Sequence, residues 1–193
     1  VLCSGETVNA GLTASSTSSF EWYADPNNNV TGETQIPQNT SLINDQLINS
    51  GVVAETVLYS IQATSDKGCV GPKLVQPVLV NPLPEVDFII SNQILCEIDS
   101  IYFVNNSNPA YSFLWDFGSV QRDPKKLYTN TGTVDSLYEV ELISTSQHGC
   151  KDTFVDTVVI HPDAKSDFNP TLTSGCAPLV LDSSLINLTR HAS

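Results

Sequence analysis

Ser112-Phe-Leu-Trp-Asp-Phe-Gly118 places Phe113, Trp115 and Phe117 at every second position, with Leu114 and Asp116 between them. Side chains along a strand point alternately to its two faces, so the spacing predicts a half-buried β-strand with its aromatic face on a core. Gly118 then supplies a turn.

Working outward from this strand exposes a repeat. Cys96 lies nineteen residues before Trp115, and Cys3 lies nineteen before Trp22, with Phe113 and Phe20 each two residues ahead of the Trp. Five residues after the cysteines come Val8, Ile101 and Leu181, so Cys176 opens a third copy. A second cysteine closes matching frames, Ser65-Asp-Lys-Gly-Cys69 and Ser146-Gln-His-Gly-Cys150. Alternating runs precede these frames (Val57, Tyr59, Ile61, Ala63; Tyr138, Val140, Leu142, Ser144), and apolar runs ending at Pro82 and Pro162 follow them. Each frame therefore predicts two strands joined by a tight Gly-containing turn.

The copies fall at 1–82, 83–162 and 163–193, the last breaking off before its Trp strand and second cysteine. Proline-bearing joints, Asn81-Pro-Leu-Pro84 and His161-Pro-Asp-Ala164, predict semi-rigid spacers. The first copy carries an extra Asn-rich stretch, 25–50, in which 41–50 fits one helical turn or an added edge strand equally well. Elsewhere no long helical period appears and turn signals are closely spaced. The expected fold is all-β, a string of sandwich modules.

Eight basic against twenty-one acidic residues give a net charge of −13, which opposes binding to phosphate backbones and is expected to form a solvated surface. No apolar run reaches the roughly 20 residues of a membrane-spanning helix. The start lacks the pattern of a signal peptide and there is no Met, so the chain reads as an internal or processed fragment.

Five cysteines without a Cys-x-x-Cys spacing point away from zinc and towards an oxidising, extracytoplasmic setting. Cys, Trp, Cys is the order used by immunoglobulin-like sandwiches. It suggests Cys3–Cys69 and Cys96–Cys150 bridges, each stabilising its copy by roughly 4 kcal/mol in the chain-entropy treatment, with Cys176 unpaired.

Trp22 and Trp115 are expected in cores. Tyr23, Tyr111 and Tyr128 are the candidate exposed aromatics for stacking on sugars. Asp116 is expected to accept main-chain hydrogen bonds in its turn rather than to act as an acid. Asp25, with Asn27, Asn28 and Asn29, is the candidate for Ca²⁺, although it lacks the Asp-x-Asp-x-Asp-Gly spacing. His148, His161 and His191 form no triad or metal pattern, and phosphate loops and paired catalytic carboxylates are absent. No enzyme and no cofactor is expected.

Trp115-Asp-Phe-Gly118 after an aromatic strand, then Tyr138-Glu-Val-Glu-Leu142 and Gly149-Cys150, resemble a polycystic kidney disease (PKD) domain, with Ser119-Val120 where that family has Asp-Gly. Phe20-Glu-Trp-Tyr23 resembles a divergent PKD-like module, and Gly175-Cys-Ala-Pro-Leu-Val-Leu181 the opening of another. Tandem modules of this kind are similar to those of large secreted Bacteroidetes surface proteins, including gliding-motility adhesins. The resemblance implies type IX secretion, a cell-surface location and a non-catalytic spacer or adhesive role. Neighbouring repeats, surface polysaccharide or other surface proteins are the implied partners. PKD modules also accompany secreted polysaccharide- and protein-degrading enzymes, so a carbohydrate-binding or spacer accessory region is the alternative.

Overall fold

A computed structural model of the chain describes residues 1–91, 95–96, 98–109, 111–164, 168–169 and 186–187. Its regular structure is all β. It divides into two compact units: residues 1–86 with 107–113 and 143–153, and residues 87–106 with 114–142 and 154–193.

The first unit holds β1 (Leu2–Cys3), β2 (Ala10–Gly11), β3 (Ser18–Ala24), β4 (Val30–Thr31), β5 (Leu42–Ile43), β6 (Ile48–Asn49), β7 (Glu55–Ser65) and β8 (Leu74–Asn81). The long β7–β8 hairpin is the predicted one, with Glu55 opposite Val80 and Ile61 opposite Leu74. β3 adds antiparallel to β7, and β1 adds parallel to the end of β8, giving the sheet order β1-β8-β7-β3. The Asn-rich stretch resolves into short strands: β5 pairs with β2, and β6 with β4.

The core gathers Trp22, Ala24, Val30, Ile43, Leu47, Val57, Tyr59 and Val80, drawn from the large sheet, the small ribbons and the loop between β5 and β6. Val57 and Tyr59 are two apart on β7 and face the core together, as the period of two requires. Trp22 packs on Tyr59 with ring centroids 6.0 Å apart.

The second unit continues with β9 (Phe88–Ile90), β10 (Leu95–Cys96) and β11 (Ile98–Asn105). β12 (Ser112–Trp115), β13 (Lys125–Thr129), β14 (Ser136–Thr145) and β15 (Lys151–His161) follow, with the short pair β16 (Phe168–Asn169) and β17 (Ile186–Asn187). Strands run β13-β11-β9 in one sheet and β10-β15-β14-β12 in the other. The turn end of the β14–β15 hairpin and the first two residues of β12 belong to the first unit.

Aromatic rings fill the second core. Trp115 is fully buried, 5.0 Å from Phe88 and 5.2 Å from Phe103 between ring centroids, and Phe154 lies 5.3 Å from Phe88 on the other side. Ring pairs at these tilts and spacings contribute about 0.5–1.5 kcal/mol each beyond the area they bury.

The opening strand is shorter than its alternation predicts. It ends at Trp115, because Gly118 N donates to Trp115 O and Trp115 N donates to Ser119 O, closing a turn with Gly118 at φ +81°. Phe117 leaves the strand but remains half-buried, its ring 5.7 Å from Trp115 and nearly parallel to it.

The cysteine pairing also departs from expectation. The disulfide joins Cys3 to Cys150, Cα atoms 5.5 Å apart, while Cys69 and Cys96 are exposed thiols. Cys3 is opposite Asn81 at the base of its hairpin, whereas Cys69 is at the tip, beyond Thr64 and Val70. Nine residues of β7 separate those levels, roughly 30 Å at the rise of a strand, against the roughly 7 Å Cα limit of a disulfide. Cys96 sits opposite His161 and Cys150 just before Lys151, so the length of β15 separates them in the same way. Neither Cys3–Cys69 nor Cys96–Cys150 closes, because in each copy one cysteine marks the base and the other the tip. Cys176 lies outside the described residues.

Candidate functional site: the cysteine frame and its supports

The bases that carry Cys3 and Cys96 are built alike. Each cysteine follows a leucine on a two-residue strand lying parallel to the end of the hairpin: Leu2 opposite Val80 and Cys3 opposite Asn81, then Leu95 opposite Ile160 and Cys96 opposite His161.

A buried asparagine holds each base to the chain before the hairpin. Asn49 Nδ2 donates to Val80 O and Val53 O, both at 2.8 Å, and its Oδ1 accepts from Gly51 N. Asn130 repeats all three bonds, with Nδ2 to Ile160 O at 2.7 Å and to Val134 O at 2.8 Å, and Oδ1 from Gly132 N. The two stretches read Asn49-Ser-Gly-Val-Val53 and Asn130-Thr-Gly-Thr-Val134, a motif that polar loop composition disguises in the sequence.

The tips match as closely. Ser65 N donates to Cys69 O and Gly68 N to Ser65 O; Ser146 N donates to Cys150 O and Gly149 N to Ser146 O. Gly68 and Gly149 have φ +81° and +83°, a left-handed conformation that side-chain-bearing residues rarely adopt.

The first unit holds a second buried network, centred on Asp45. Asp45 accepts from Thr34 N, Thr34 Oγ1 and Tyr59 Oη at 2.7–2.8 Å. Burial, and then the Asp45 carboxylate, push the Tyr59 phenol well above its usual range. Tyr128 is likewise raised, first by burial and then by the charge of Asp116.

Of the three candidate stacking tyrosines, Tyr128 is not at the surface. It is 3% exposed and packs on Tyr138 at 4.9 Å, because β13 turns Tyr128 inward and leaves its neighbour Leu127 58% exposed. Tyr23 is half-buried, its ring covered by Lys73, whose Nζ donates to Tyr23 Oη at 2.6 Å and stands 4.8 Å from the ring centroid. That ammonium lowers the Tyr23 pKa. Tyr111 is half-buried in a turn in which its N–H donates to Asn108 O.

Phe20 and Phe113 are also half-buried, Phe20 lining an apolar cleft of about 260 Å³ with Val8, Ile43, Ile61 and Leu74. Trp22 and Trp115 are core residues as expected, each with its indole N–H satisfied, by Thr40 Oγ1 and Gln121 O respectively.

Asp116 is exposed. Its turn is closed by main-chain bonds, and its own N–H donates to Glu141 O. Around Asp25, Asn27 Oδ1 accepts from Asn29 N and Asn29 Nδ2 donates to Glu55 Oε1, so these side chains brace the loop. Among the described residues no cluster of three or more His, Cys, Asp or Glu stands where it would hold a metal ion, and no helix is long and apolar enough to cross a membrane.

Sheets of this order, with a Trp-centred core between them, define an immunoglobulin-like β-sandwich. Residues 1–84 match the family described as PKD-like domain. No curated protein matches the chain.

Among solved structures, the chain is similar to the Clostridium thermocellum CbhA fibronectin(III)-like modules, with 16% identity over 83% of this chain and 87% of that one, at a TM-score of 0.35. It is also similar to the Bacteroides ovatus mixed-linkage glucan utilization locus protein SGBP-B in complex with a mixed-linkage heptasaccharide. There the identity is 15% over 82% of this chain and 42% of that one, at a TM-score of 0.30. The Drosophila N-cadherin EC1-4 structure is 6% identical over 84% of this chain and 46% of that one, at a TM-score of 0.32.

Proposed function

We propose that the chain is a non-catalytic structural region of an extracellular surface protein, in which PKD-like sandwiches stand in tandem as stapled spacer or adhesive modules. The observation that carries this reading is the Cys3–Cys150 disulfide, which joins the base cysteine of one sequence copy to the tip cysteine of the next. A bridge placed there limits how far consecutive copies are drawn out under load. It also belongs to an oxidising compartment outside the cytoplasm.

The repeated asparagine clamp and the net charge of −13 support a series of similar, mutually repelling surfaces that resist edge-to-edge association. Resemblance of the Trp115 strand to PKD repeats of secreted Bacteroidetes surface proteins favours an adhesin as the parent. The covering of Tyr23 by Lys73 and the burial of Tyr128 leave less aromatic surface for a sugar-stacking accessory role.

Antibodies raised against the chain are expected to label intact cells of the source organism, and the purified chain is expected not to be retained on insoluble polysaccharide. Labelling that requires permeabilised cells contradicts the surface reading. Retention on a glycan in place of surface-protein contacts favours the enzyme-accessory alternative.

A further inference from the structure

We propose that Cys96 and Cys69 are the two open halves of the bridge already closed by Cys3 and Cys150, and that each takes a further module of this same type. Cys96 is a base cysteine with the register of Cys3: Cys3 faces Asn81 and Cys96 faces His161, each beside a leucine one position earlier. Cys69 is a tip cysteine in the turn geometry of Cys150: its carbonyl accepts from Ser65 N as that of Cys150 does from Ser146 N, with Gly68 N on Ser65 O and Gly149 N on Ser146 O closing the two turns. Both are exposed thiols.

The second observation is the bridge itself, which unites one base and one tip from consecutive copies. Within a copy, base and tip are a hairpin's length apart, roughly 30 Å, so the open base cannot use its own tip. The free base therefore takes the tip of a following module, and the free tip takes the base of a preceding one. The occupant is fixed by this complementarity: a PKD-like module presenting a cysteine at the opposite kind of position. Contacts of unlike ends propagate head to tail and do not close on themselves in pairs.

Bond formation proceeds by thiol–disulfide exchange with a low-molecular-weight disulfide as oxidant. The Cys96 thiolate attacks glutathione disulfide and expels one glutathione thiolate. The Cys69 thiolate of the second module then attacks the Cys96 sulfur and expels the other. Two protein thiols lose two protons and two electrons, and one glutathione disulfide becomes two glutathiones.

This inference rests on the repeat reading above, but its readout in solution is independent of where the chain resides. A chain found inside cells fails the antibody test and still forms the link.

The test uses the full chain carrying Cys176→Ser. Single variants Cys69→Ser and Cys96→Ser are added to that background, and circular dichroism checks that each retains the parent's strand content. Each is incubated at about 1 mM, the effective concentration a short linker provides, in a glutathione redox buffer.

The parent is expected to form a ladder of covalent multimers. Each single variant remains monomeric alone, and an equimolar mixture of the two gives dimers and nothing larger. Peptide mapping of those dimers yields Cys96–Cys69 links in about tenfold or greater excess over like-with-like links. Like-with-like links in equal abundance overturn the proposal, and so does capping of both thiols by glutathione without a protein–protein link.

Discussion

Pulling the chain from its two ends, with and without reductant, separates the cross-copy bridge from bridges inside each copy. The Cys3–Cys150 disulfide spans 147 residues and holds its Cα atoms 5.5 Å apart, so load entering at residue 1 passes through the sulfurs and leaves at residue 151. Everything between is shielded while the bond lasts. At about 3.4 Å per extended residue, reduction releases roughly 500 Å of hidden length.

Bridges at Cys3–Cys69 and Cys96–Cys150 would behave differently. They would leave residues 70–95 free to extend even in the oxidised chain, roughly 90 Å. Single-molecule force spectroscopy is expected to show an oxidised chain that lengthens only through residues outside 3–150, and a further gain of roughly 500 Å after reduction or in Cys150→Ser. An oxidised trace with an extra step of about 90 Å, or traces unchanged by reductant, would refute the reasoning.

Three further outcomes follow from the cores and clamps. Asn49→Ala and Asn130→Ala each strand one buried carbonyl, besides a part-buried carbonyl and glycine N–H, and each is expected to cost about 1–3 kcal/mol in urea unfolding; a loss below about 0.5 kcal/mol would show that the clamps carry no stability. Trp115→Ala removes a fully buried ring touching Phe88, Phe103 and Phe117 and is expected to cost about 3–5 kcal/mol, measured by thermal melting, whereas a cost near zero would remove it from the core. Tyr59 and Tyr128 have raised folded-state pKa values, so the stability they contribute is complete below the unfolded tyrosine pKa of about 10 and falls as pH rises beyond it. Tyr59→Phe and Tyr128→Phe are each expected to flatten that alkaline loss in pH-dependent unfolding, and slopes identical to the parent's would contradict the assigned burial.

The frames around Cys69 and Cys150 were legible because a tight turn between two alternating runs is local: Gly68 and Gly149 meet the left-handed backbone the turn requires. Trp22 and Trp115 were legible for a similar reason, since a large ring at a fixed distance from a repeated cysteine has few places to go but a core.

Cysteine pairing was not legible. It depends on which end of a hairpin each cysteine occupies, and that follows from the parallel pairing of β1 with β8 and of β10 with β15, long-range contacts that leave no period in the sequence. Tyr128 was misplaced because Lys125-Lys-Leu-Tyr-Thr129 alternates ambiguously, and choosing the other face of a strand inverts every side chain on it. Asn49 and Asn130 are not legible as clamps because an asparagine two residues before a glycine, in a polar stretch, reads as a turn. Only the distant carbonyls of Val80 and Ile160 reveal that these side chains are buried clamps.

Disulfide mapping of the untreated full chain tests the account most directly. Digestion under non-reducing conditions with free thiols blocked is expected to yield a linked peptide pair containing Cys3 and Cys150, with blocked thiols at Cys69 and Cys96. Recovery of Cys3 linked to Cys69 and Cys96 linked to Cys150 would contradict the account.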